Sequence, residues 1–275
     1  MQRIVPLPLP VTIDPVVASP TLWCLPGVDG PSDARRDIYV ATPPGYGGNP
    51  DLLHPVVYFQ DGQNLFDPAR SFAGHWRLLE TLALRADGYA PVLVGVPNLG
   101  PDRLREYSPF DDVIHGEGDG DEYLAFLRGV VKPLIDSNFR TRPERRFTTV
   151  AGSSMGGLFS LYALIAGAGT FGSAWVLSPA LWYADGAIYQ WLAHQPGPVG
   201  RLWLDVGVEE GIDEVHDVRR MRDLMVARGW QEGNQLRYLE DPLGDHDEAS
   251  WGRRINENWD TLARVAETKV ERFKG

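Results

Sequence analysis

The sequence predicts an α/β fold in which a mostly parallel central sheet carries helices on both faces. Short apolar runs typical of buried strands alternate along the chain with amphipathic segments of helical length. The chain has 275 residues and is 43% hydrophobic, so it can bury one sizeable core. We therefore expect a single α/β domain over residues 1–275.

The first half of the chain begins this alternation. Residues up to about Thr42 are predicted to form an antiparallel edge, because short apolar alternation precedes a Pro-rich turn. Two continuous apolar runs, HPVVYFQDG and APVLVGVPN, predict buried parallel strands. The amphipathic segment between them, Gly74 to Ala86, is predicted to be a helix, and a polar loop is predicted from Leu99 to Gly120.

The second half continues the same pattern. Further strands are predicted over RRFTTVAGSS, FGSAWVLSPA, RLWLDVGVEE and QLRYLED. Further helices are predicted over Asp121–Asn138, MGGLFSLYALIAG, Asp213–Arg228 and Ala249–Phe273. Active sites of such sheets collect at the carboxyl ends of the strands, so we expect the functional residues in the loops that follow them.

Composition limits the possible partners. Lys and Arg number 26 against 37 Asp and Glu, a net charge of -11, which repels both nucleic acid and anionic membranes. No apolar run reaches the roughly 20 residues of a spanning helix. The Pro-broken N-terminus lacks a signal-peptide pattern, and the lone Cys24 cannot form an internal disulfide. These features predict a cytoplasmic protein that binds neither nucleic acid nor membrane.

The pentapeptide Gly152-Ser153-Ser154-Met155-Gly156 matches G-x-S-x-G, the nucleophile elbow of the α/β-hydrolase fold. It follows an apolar strand ending at Val150 and opens an apolar helix, which is the context that the motif requires. The turn is predicted to lift Ser154 Oγ above the sheet edge, while Ser153 points away. The alternatives are a plain Gly/Ser-rich helix entry and a phosphate-binding turn, but the lysine of the latter is absent.

Two backbone N–H groups are expected to form an oxyanion hole. The Met155 N–H follows the nucleophile at a helix N-terminus, where developing negative charge is favoured. The second donor should come from the loop after the first buried strand, Asp61-Gly62-Gln63-Asn64. Gly62 allows close backbone approach, which makes the Gln63 N–H our candidate, although an ordinary turn also explains Asp-Gly.

Three histidines follow Ser154 in the chain, and the base is expected among them because the α/β-hydrolase order is serine, acid, histidine. His246 lies after the last predicted strand and before the last helix, as this order requires. His194 falls in a Pro/Gly-rich surface loop, and His216 falls in a charged helix. A histidine can act as the base because its pKa lies near neutrality.

The triad acid should follow the strand RLWLDVGVEE. Glu209 and Glu210 lie at its carboxyl end, and Asp213 comes shortly after. We favour Glu210 because it sits at the turn into the next segment. Glu209 and Asp213 stay open as alternatives, and each of these carboxylates is also explained as a solvated loop residue.

Five segments together resemble an esterase family of α/β hydrolases that includes enterochelin esterase, esterase D, feruloyl esterases and antigen 85. The segments are YFQDGQNLFD, VPNLGPDRLREYSPF, VAGSSMGGLFSLYAL, WVLSPALWY and DHDEASW. The resemblance extends from about Asp37 to Asp260 and implies a triad with its serine at Ser154 and its histidine at His246. The family's acid falls near Glu210, three residues after Gly207. Asp245 stands where the family often has glycine before the histidine.

The same resemblance bears on two groups of pocket residues. Arg103, Glu106 and Tyr107 lie in the family's loop after a strand, where they either frame the pocket or form a structural Arg–Glu pair. Trp182 and Tyr183 follow a strand end, where they form either a substrate-binding wall or part of the core.

These observations predict a serine carboxylic ester hydrolase that forms an acyl-enzyme on a small-molecule, sugar or siderophore-type ester. No metal or organic cofactor is expected. The alternatives are acyl transfer and non-catalytic binding on a hydrolase scaffold. A metal-dependent hydrolase would use His216, Asp217 and Asp245-His246-Asp247, but their spacing matches no ligand signature.

Overall fold

The computed structural model describes residues 2–13, 19–31, 34–72, 74–85 and 90–265. Within these ranges, nine strands form one sheet. The strands are β1 (Val5–Leu7), β2 (Thr21–Asp29), β3 (Arg35–Thr42), β4 (Val56–Phe59), β5 (Val92–Gly95), β6 (Thr148–Ser154), β7 (Ser173–Pro179), β8 (Arg201–Gly207) and β9 (Leu236–Asp241). Their order across the sheet is β1-β2-β3-β5-β4-β6-β7-β8-β9.

The sheet is parallel from β5 to β9 and antiparallel at the β1 edge. Strands β1, β2 and β3 pair antiparallel with one another, and β3 pairs antiparallel with β5. The remaining pairs, from β5–β4 to β8–β9, are all parallel. The predicted mostly parallel sheet with an antiparallel N-terminal edge is confirmed. The carboxyl ends of β4 to β9 therefore lie along one edge of the sheet.

Helices cover both faces of this sheet. They are α1 (Leu78–Ala83), α2 (Arg103–Tyr107), α3 (Gly120–Phe126), α4 (Lys132–Asn138), α5 (Met155–Ala166), α6 (Tyr183–Ala193), α7 (Ile212–Ala227), α8 (Glu248–Glu257) and α9 (Trp259–Val265). Residues of α2 to α7 belong to one buried apolar cluster, and residues of α1, α8 and α9 belong to another. Successive β4 residues alternate between the two clusters, because side chains alternate across a strand.

The second half of the structure differs from the sequence prediction in its helices. A π-helical turn, Leu127–Val131, joins α3 to α4 within the helix predicted from Asp121. The predicted closing helix is two helices, because Asn258 ends α8 and its side-chain Nδ2 donates to Arg254 O. The predicted part beyond residue 265 lies outside the described residues.

Shorter elements also depart from the prediction. Helix α1 begins at Leu78 and not at Gly74, because Arg77 adopts a left-handed conformation (φ 56°) just before it. Residue 86, its predicted end, lies outside the described residues. Helix α2 occupies part of the predicted loop, and α6 follows β7 where no helix was predicted. No helix among the described residues combines the length and apolar character needed to cross a bilayer.

Candidate active site

The G-x-S-x-G segment forms a sharp turn between β6 and α5. Ser154 ends the strand with φ 54° and ψ -124°, a conformation that residues with a Cβ rarely adopt. A Cβ at Gly152 would lie 2.5 Å from Gly156 O, and one at Gly156 would lie 2.8 Å from Gln60 Cβ. The two glycines therefore permit a turn that side chains would block. Ser153 is buried, whereas Ser154 is partly exposed.

Ser154 lines a cavity of about 150 Å³ at the carboxyl edge of the sheet. His246 and Glu210 line the same cavity. The structure thus brings together Ser154, Glu210 and His246, which lie up to 92 positions apart in the sequence. Ser154 Oγ forms no hydrogen bond with His246 or with any other described residue. Nucleophile–base hydrogen bonds are often long in structures without substrate.

Glu210 is the candidate carboxylate that contacts His246. Its Oε2 lies 2.7 Å from His246 Nδ1. The Glu210 side chain is 1% exposed, whereas the His246 side chain is 41% exposed and packs edge-on against the Trp251 ring. Over the part of the chain that the structure describes, neither Glu209 nor Asp213 forms a hydrogen bond or ion pair through its side chain.

Two glycines allow Glu210 and His246 to meet. A Cβ at Gly207, the last residue of β8, would lie 2.2 Å from Gly244 O in the loop after β9. The Glu209 N–H also donates to Gly244 O at 3.0 Å. The loop that carries Glu210 therefore lies directly against the loop that carries His246.

Hydrogen bonds keep the buried Glu210 carboxylate ionised. Burial acts to raise the pKa of Glu210, but hydrogen bonds from His246, Ser178 and the Gly207 N–H outweigh it. The pKa consequently lies below its ordinary value. The Gly207 N–H donates to Oε1 at 2.7 Å, and Arg254 Nη2 donates to the same oxygen at 3.3 Å.

A second carboxylate lies deeper, behind Glu210. Asp205 on β8 is fully buried, and its Oδ1 accepts from Arg254 Nη1 at 2.8 Å. Burial raises the pKa of Asp205 to about 6 against the opposing charge of Arg254. Ser178, Asp205 and Arg254 were not among the residues predicted from the sequence. The position of Arg254 could have indicated a buried charge, because its spacing places it on the same helix face as the apolar Trp251 and Ile255.

The predicted oxyanion segment forms a 3₁₀ turn directly after β4. The N–H groups of Gly62 and Asn64 donate to Val96 O and Asp61 O, both at 2.9 Å. The Gln63 N–H between them donates to no group of the described residues. The Met155 N–H likewise has no acceptor there, since it lies in the first turn of α5. Both candidate donors are thus free of protein acceptors in the described ranges.

Asp61 anchors this turn. It adopts a left-handed conformation (φ 54°), and Arg103 holds its carboxylate through two hydrogen bonds of 2.8 and 2.9 Å. Asn98 Nδ2 donates to the same carboxylate at 2.6 Å, and the Asp61 N–H donates to the Tyr107 hydroxyl at 3.0 Å. The Arg103–Glu106 pair considered from the sequence does not form. Glu106 pairs instead with Arg36 at 2.6 Å.

The other residues named from the sequence lie in different surroundings. Trp182 is 56% exposed and lines the cavity, whereas Tyr183 is buried in the core. His194 is exposed at the end of α6, and His216 is exposed on α7. Among the described residues, no three His, Cys, Asp or Glu side chains are grouped so that they could hold a metal ion.

Comparison with known proteins gives relatives in bacteria and fungi. The uncharacterized protein YbbA of Bacillus subtilis is 28% identical over 193 residues, which are 68% of this chain and 74% of that protein. A siderophore enterobactin esterase of Emericella nidulans is 31% identical over 93 residues. That match spans 34% of this chain but only 28% of the fungal protein.

Solved structures share the fold at low sequence identity. The BES protein from Bacillus cereus superposes with a TM-score of 0.67 at 16% identity, over 94% of this chain and 98% of that chain. The siderophore hydrolase EstA from Aspergillus nidulans gives the same TM-score and the same coverage at 21% identity. These likenesses establish the α/β-hydrolase fold.

A family model extends the match over most of the sequence. The model described as "Putative esterase" matches residues 32–262. This range includes every strand from β3 to β9 and the cavity lined by Ser154, Glu210 and His246. The chain therefore belongs to this esterase family of α/β hydrolases.

Proposed function

We propose that this protein is a serine carboxylic ester hydrolase with Ser154 as nucleophile, His246 as general base and Glu210 as acid. The observation that carries the proposal is the 2.7 Å contact between Glu210 and His246 in the cavity that Ser154 lines. A base held by a third group, within reach of a hydroxyl, is the arrangement that activates serine. Membership of the esterase family supports ester hydrolysis independently.

Acylation would begin when Ser154 Oγ attacks the ester carbonyl and His246 Nε2 takes the hydroxyl proton. Glu210 accepts the Nδ1–H, which selects the tautomer whose Nε2 is free, and it stabilises the imidazolium. The carbonyl oxygen becomes an oxyanion that the Gln63 and Met155 N–H groups would bind. When the tetrahedral intermediate collapses, the C–O bond breaks, and the imidazolium gives its proton to the departing alcohol.

Deacylation would repeat these steps with water. His246 takes a proton from a water molecule as the water oxygen attacks the acyl-enzyme carbonyl. The second tetrahedral intermediate then expels Ser154 Oγ, which recovers its proton from the imidazolium. One ester and one water thereby give one acid and one alcohol, with no cofactor.

We propose a small-molecule ester as the substrate. The cavity of about 150 Å³ would hold the ester group and one short substituent, so larger parts of a substrate would extend past Trp182 into solvent. Two of the proteins that this chain resembles are named as siderophore esterase and siderophore hydrolase. A siderophore-type or sugar ester therefore belongs in any substrate panel.

The test is turnover of p-nitrophenyl acetate and butyrate by the purified wild type, with Ser154→Ala as the inactive variant and Ser153→Ala as the matched control. We expect Ser154→Ala to lose turnover and Ser153→Ala to retain it. A fluorophosphonate probe should label the wild type at Ser154, located by mass spectrometry of the peptides. Full activity in Ser154→Ala overturns the proposal. A folded wild type that the probe never labels favours non-catalytic binding.

A further inference from the structure

The two oxygens of the Glu210 carboxylate have unequal surroundings. Oε1 accepts from the Gly207 N–H, from the Ser178 hydroxyl and from Arg254 Nη2. Oε2 accepts only from His246 Nδ1 among the described residues. Three donors on one oxygen fix the orientation of the carboxylate and leave its second oxygen for the histidine.

Ser178 has its hydroxyl proton directed by two donor-only neighbours. Trp251 Nε1 donates to Ser178 Oγ at 3.0 Å, and Arg254 Nη2 donates to it at 2.9 Å. Indole and guanidinium groups have no acceptor, so these two contacts occupy both lone pairs of the hydroxyl. The single hydroxyl proton is therefore left for Glu210 Oε1. Ser178 is 3% exposed and has φ 41°, an uncommon conformation for a residue with a Cβ.

Arg254 links the acid to a second buried carboxylate. Its Nη1 donates to Asp205 Oδ1 at 2.8 Å, and its Nη2 reaches both Ser178 Oγ and Glu210 Oε1. Trp203 Nε1 donates to the other Asp205 oxygen at 2.7 Å. The Arg254 side chain is 1% exposed, so solvent screens these contacts little.

We propose that Ser178 and Arg254 are positioning residues that hold the Glu210 carboxylate with Oε2 toward His246. This inference rests on the proposed function, because it assigns them a part in the same reaction. A buried carboxylate without donors would take up a proton or turn toward other partners, and His246 would lose the group that selects its tautomer. Arg254 does not line the cavity. Ser178 does line it, but its hydroxyl is already engaged by Glu210, Trp251 and Arg254, so we assign both residues a role through Glu210.

The kinetic test is Ser178→Ala, with Ser173→Ala as the matched control. Ser173 is a buried serine on the same strand, but its hydroxyl pairs with Thr149 Oγ1 at the opposite end of the strand. We expect Ser178→Ala to lower kcat by about tenfold to a hundredfold, as for a lost hydrogen bond to a charged group, with KM nearly unchanged. Ser173→Ala should leave kcat within about twofold of wild type.

A double-mutant cycle separates positioning from general damage. In a Glu210→Gln background, the same Ser178→Ala change should cost less than about twofold, because the group through which it acts is already lost. Equal losses in the two backgrounds would overturn the proposal. For the arginine, Arg254→Met should be combined with Asp205→Asn, so that Asp205 is not left as a buried charge without its partner. The double substitution should lower kcat when Glu210 is present. In the Glu210→Gln background it should lower kcat little further.

A spectroscopic readout does not need ester turnover. Nitrogen-15 chemical shifts of the His246 ring report which nitrogen carries the proton, and we expect the Nδ1–H form in wild type and Ser173→Ala. Ser178→Ala should shift His246 toward a mixture of tautomers. Unchanged His246 shifts together with unchanged kcat would refute the positioning role. A wild type without turnover or probe labelling would refute the proposed function, while the shifts would still test the positioning.

Discussion

His246 Nδ1 and Glu210 Oε2 lie 2.7 Å apart, so a histidine that is 41% exposed is tied to a carboxylate that is 1% exposed. The loops after β8 and β9 meet at this contact. The Glu210 carboxylate lies on the protein side of the histidine, where solvent and salt screen its charge little. The exposed part of the ring remains available to the cavity.

Replacing Glu210 by glutamine should reduce kcat by about 10³- to 10⁴-fold at neutral pH, because an amide no longer enforces the tautomer with a free Nε2. Steady-state hydrolysis of p-nitrophenyl butyrate measures the effect. Glu209→Gln is the matched control, since its exposed side chain forms no hydrogen bond with the described residues. A comparable loss in Glu209→Gln would show that the acid is assigned to the wrong residue.

The lowered pKa of Glu210 predicts how the free energy of unfolding depends on pH. A carboxyl group whose pKa falls on folding stabilises the native state above its unfolded pKa, which is near 4.5 here. That contribution is lost as the pH falls below this value toward the folded pKa. Urea unfolding at pH 7 and at pH 3.5 should therefore show a smaller stability loss for Glu210→Gln than for wild type. Equal losses would contradict the lowered pKa.

The positions of Ser154, Glu210 and His246 could be predicted because Ser154 ends a strand and the other two lie in the segments that follow β8 and β9. Strand patterns identify those loops, and parallel pairing brings the loops to one edge. The turn that contains Gln63 could be placed in the same way, because it follows β4. The order of strands and loops in the sequence is sufficient to place such residues, because their positions depend on the sheet and not on contacts with distant side chains.

Residues that support the site could not be predicted in this way. Arg253 and Arg254 are adjacent in α8, yet one is partly exposed and the other is buried against Asp205. The spacing of Arg254 with Trp251 and Ile255 indicates which arginine faces inward. The carboxylates that it meets there lie on β8 and in the loop after it, and the local pattern of α8 does not identify them. Ser178 stands in an ordinary Leu-Ser-Pro segment. Its hydrogen-bond donors, Trp251 and Arg254, lie more than 70 positions later in the chain.

Loss of the Arg103 side chain should impair catalysis by displacing the 3₁₀ turn Gly62–Asn64, which carries the candidate oxyanion donor. Its two hydrogen bonds hold Asp61, two residues before the candidate donor Gln63. We expect Arg103→Met to lower kcat about tenfold or more, because a misplaced donor stabilises the oxyanion poorly. Arg105→Met, on the same helix, removes a more exposed pair with Asp119 and should change kcat little. Equal effects of the two substitutions would contradict a role for the turn.

Close packing of Gly207 against Gly244 predicts that Gly207→Ala disrupts the acid–base pair. Gly207 has φ -83° and ψ 138°, which alanine adopts readily, so any effect is steric. The added Cβ would lie 2.2 Å from Gly244 O and push the two loops apart. We expect a loss of about 1–3 kcal/mol in the free energy of unfolding, together with a fall in kcat.

Gly129→Ala is the control for this substitution. A Cβ at Gly129 meets no atom within 4 Å, so urea unfolding should show unchanged or slightly raised stability. If Gly207→Ala were as stable and active as Gly129→Ala, the packing of the β8 and β9 loops would not position the pair.

The charge of the cavity predicts a preference among substrates. Glu214 and Asp217 line it beside the exposed Trp182 indole, and neither carboxylate forms an ion pair among the described residues. Carboxylates and an indole face attract a cationic group and repel an anionic one. Acetylcholine and its neutral isostere 3,3-dimethylbutyl acetate differ only in that charge, so the ratio of their kcat/KM values isolates it.

We expect wild type to favour acetylcholine in this comparison, and the double variant Glu214→Gln/Asp217→Asn to lower the ratio by about two- to fivefold per charge removed. Asp213→Asn, at the start of the same helix but outside the cavity lining, controls for net charge and should leave the ratio unchanged. The preference should weaken as salt is added, because these carboxylates are only partly buried. A ratio that is the same in wild type and the double variant would mean that α7 does not face the bound ester.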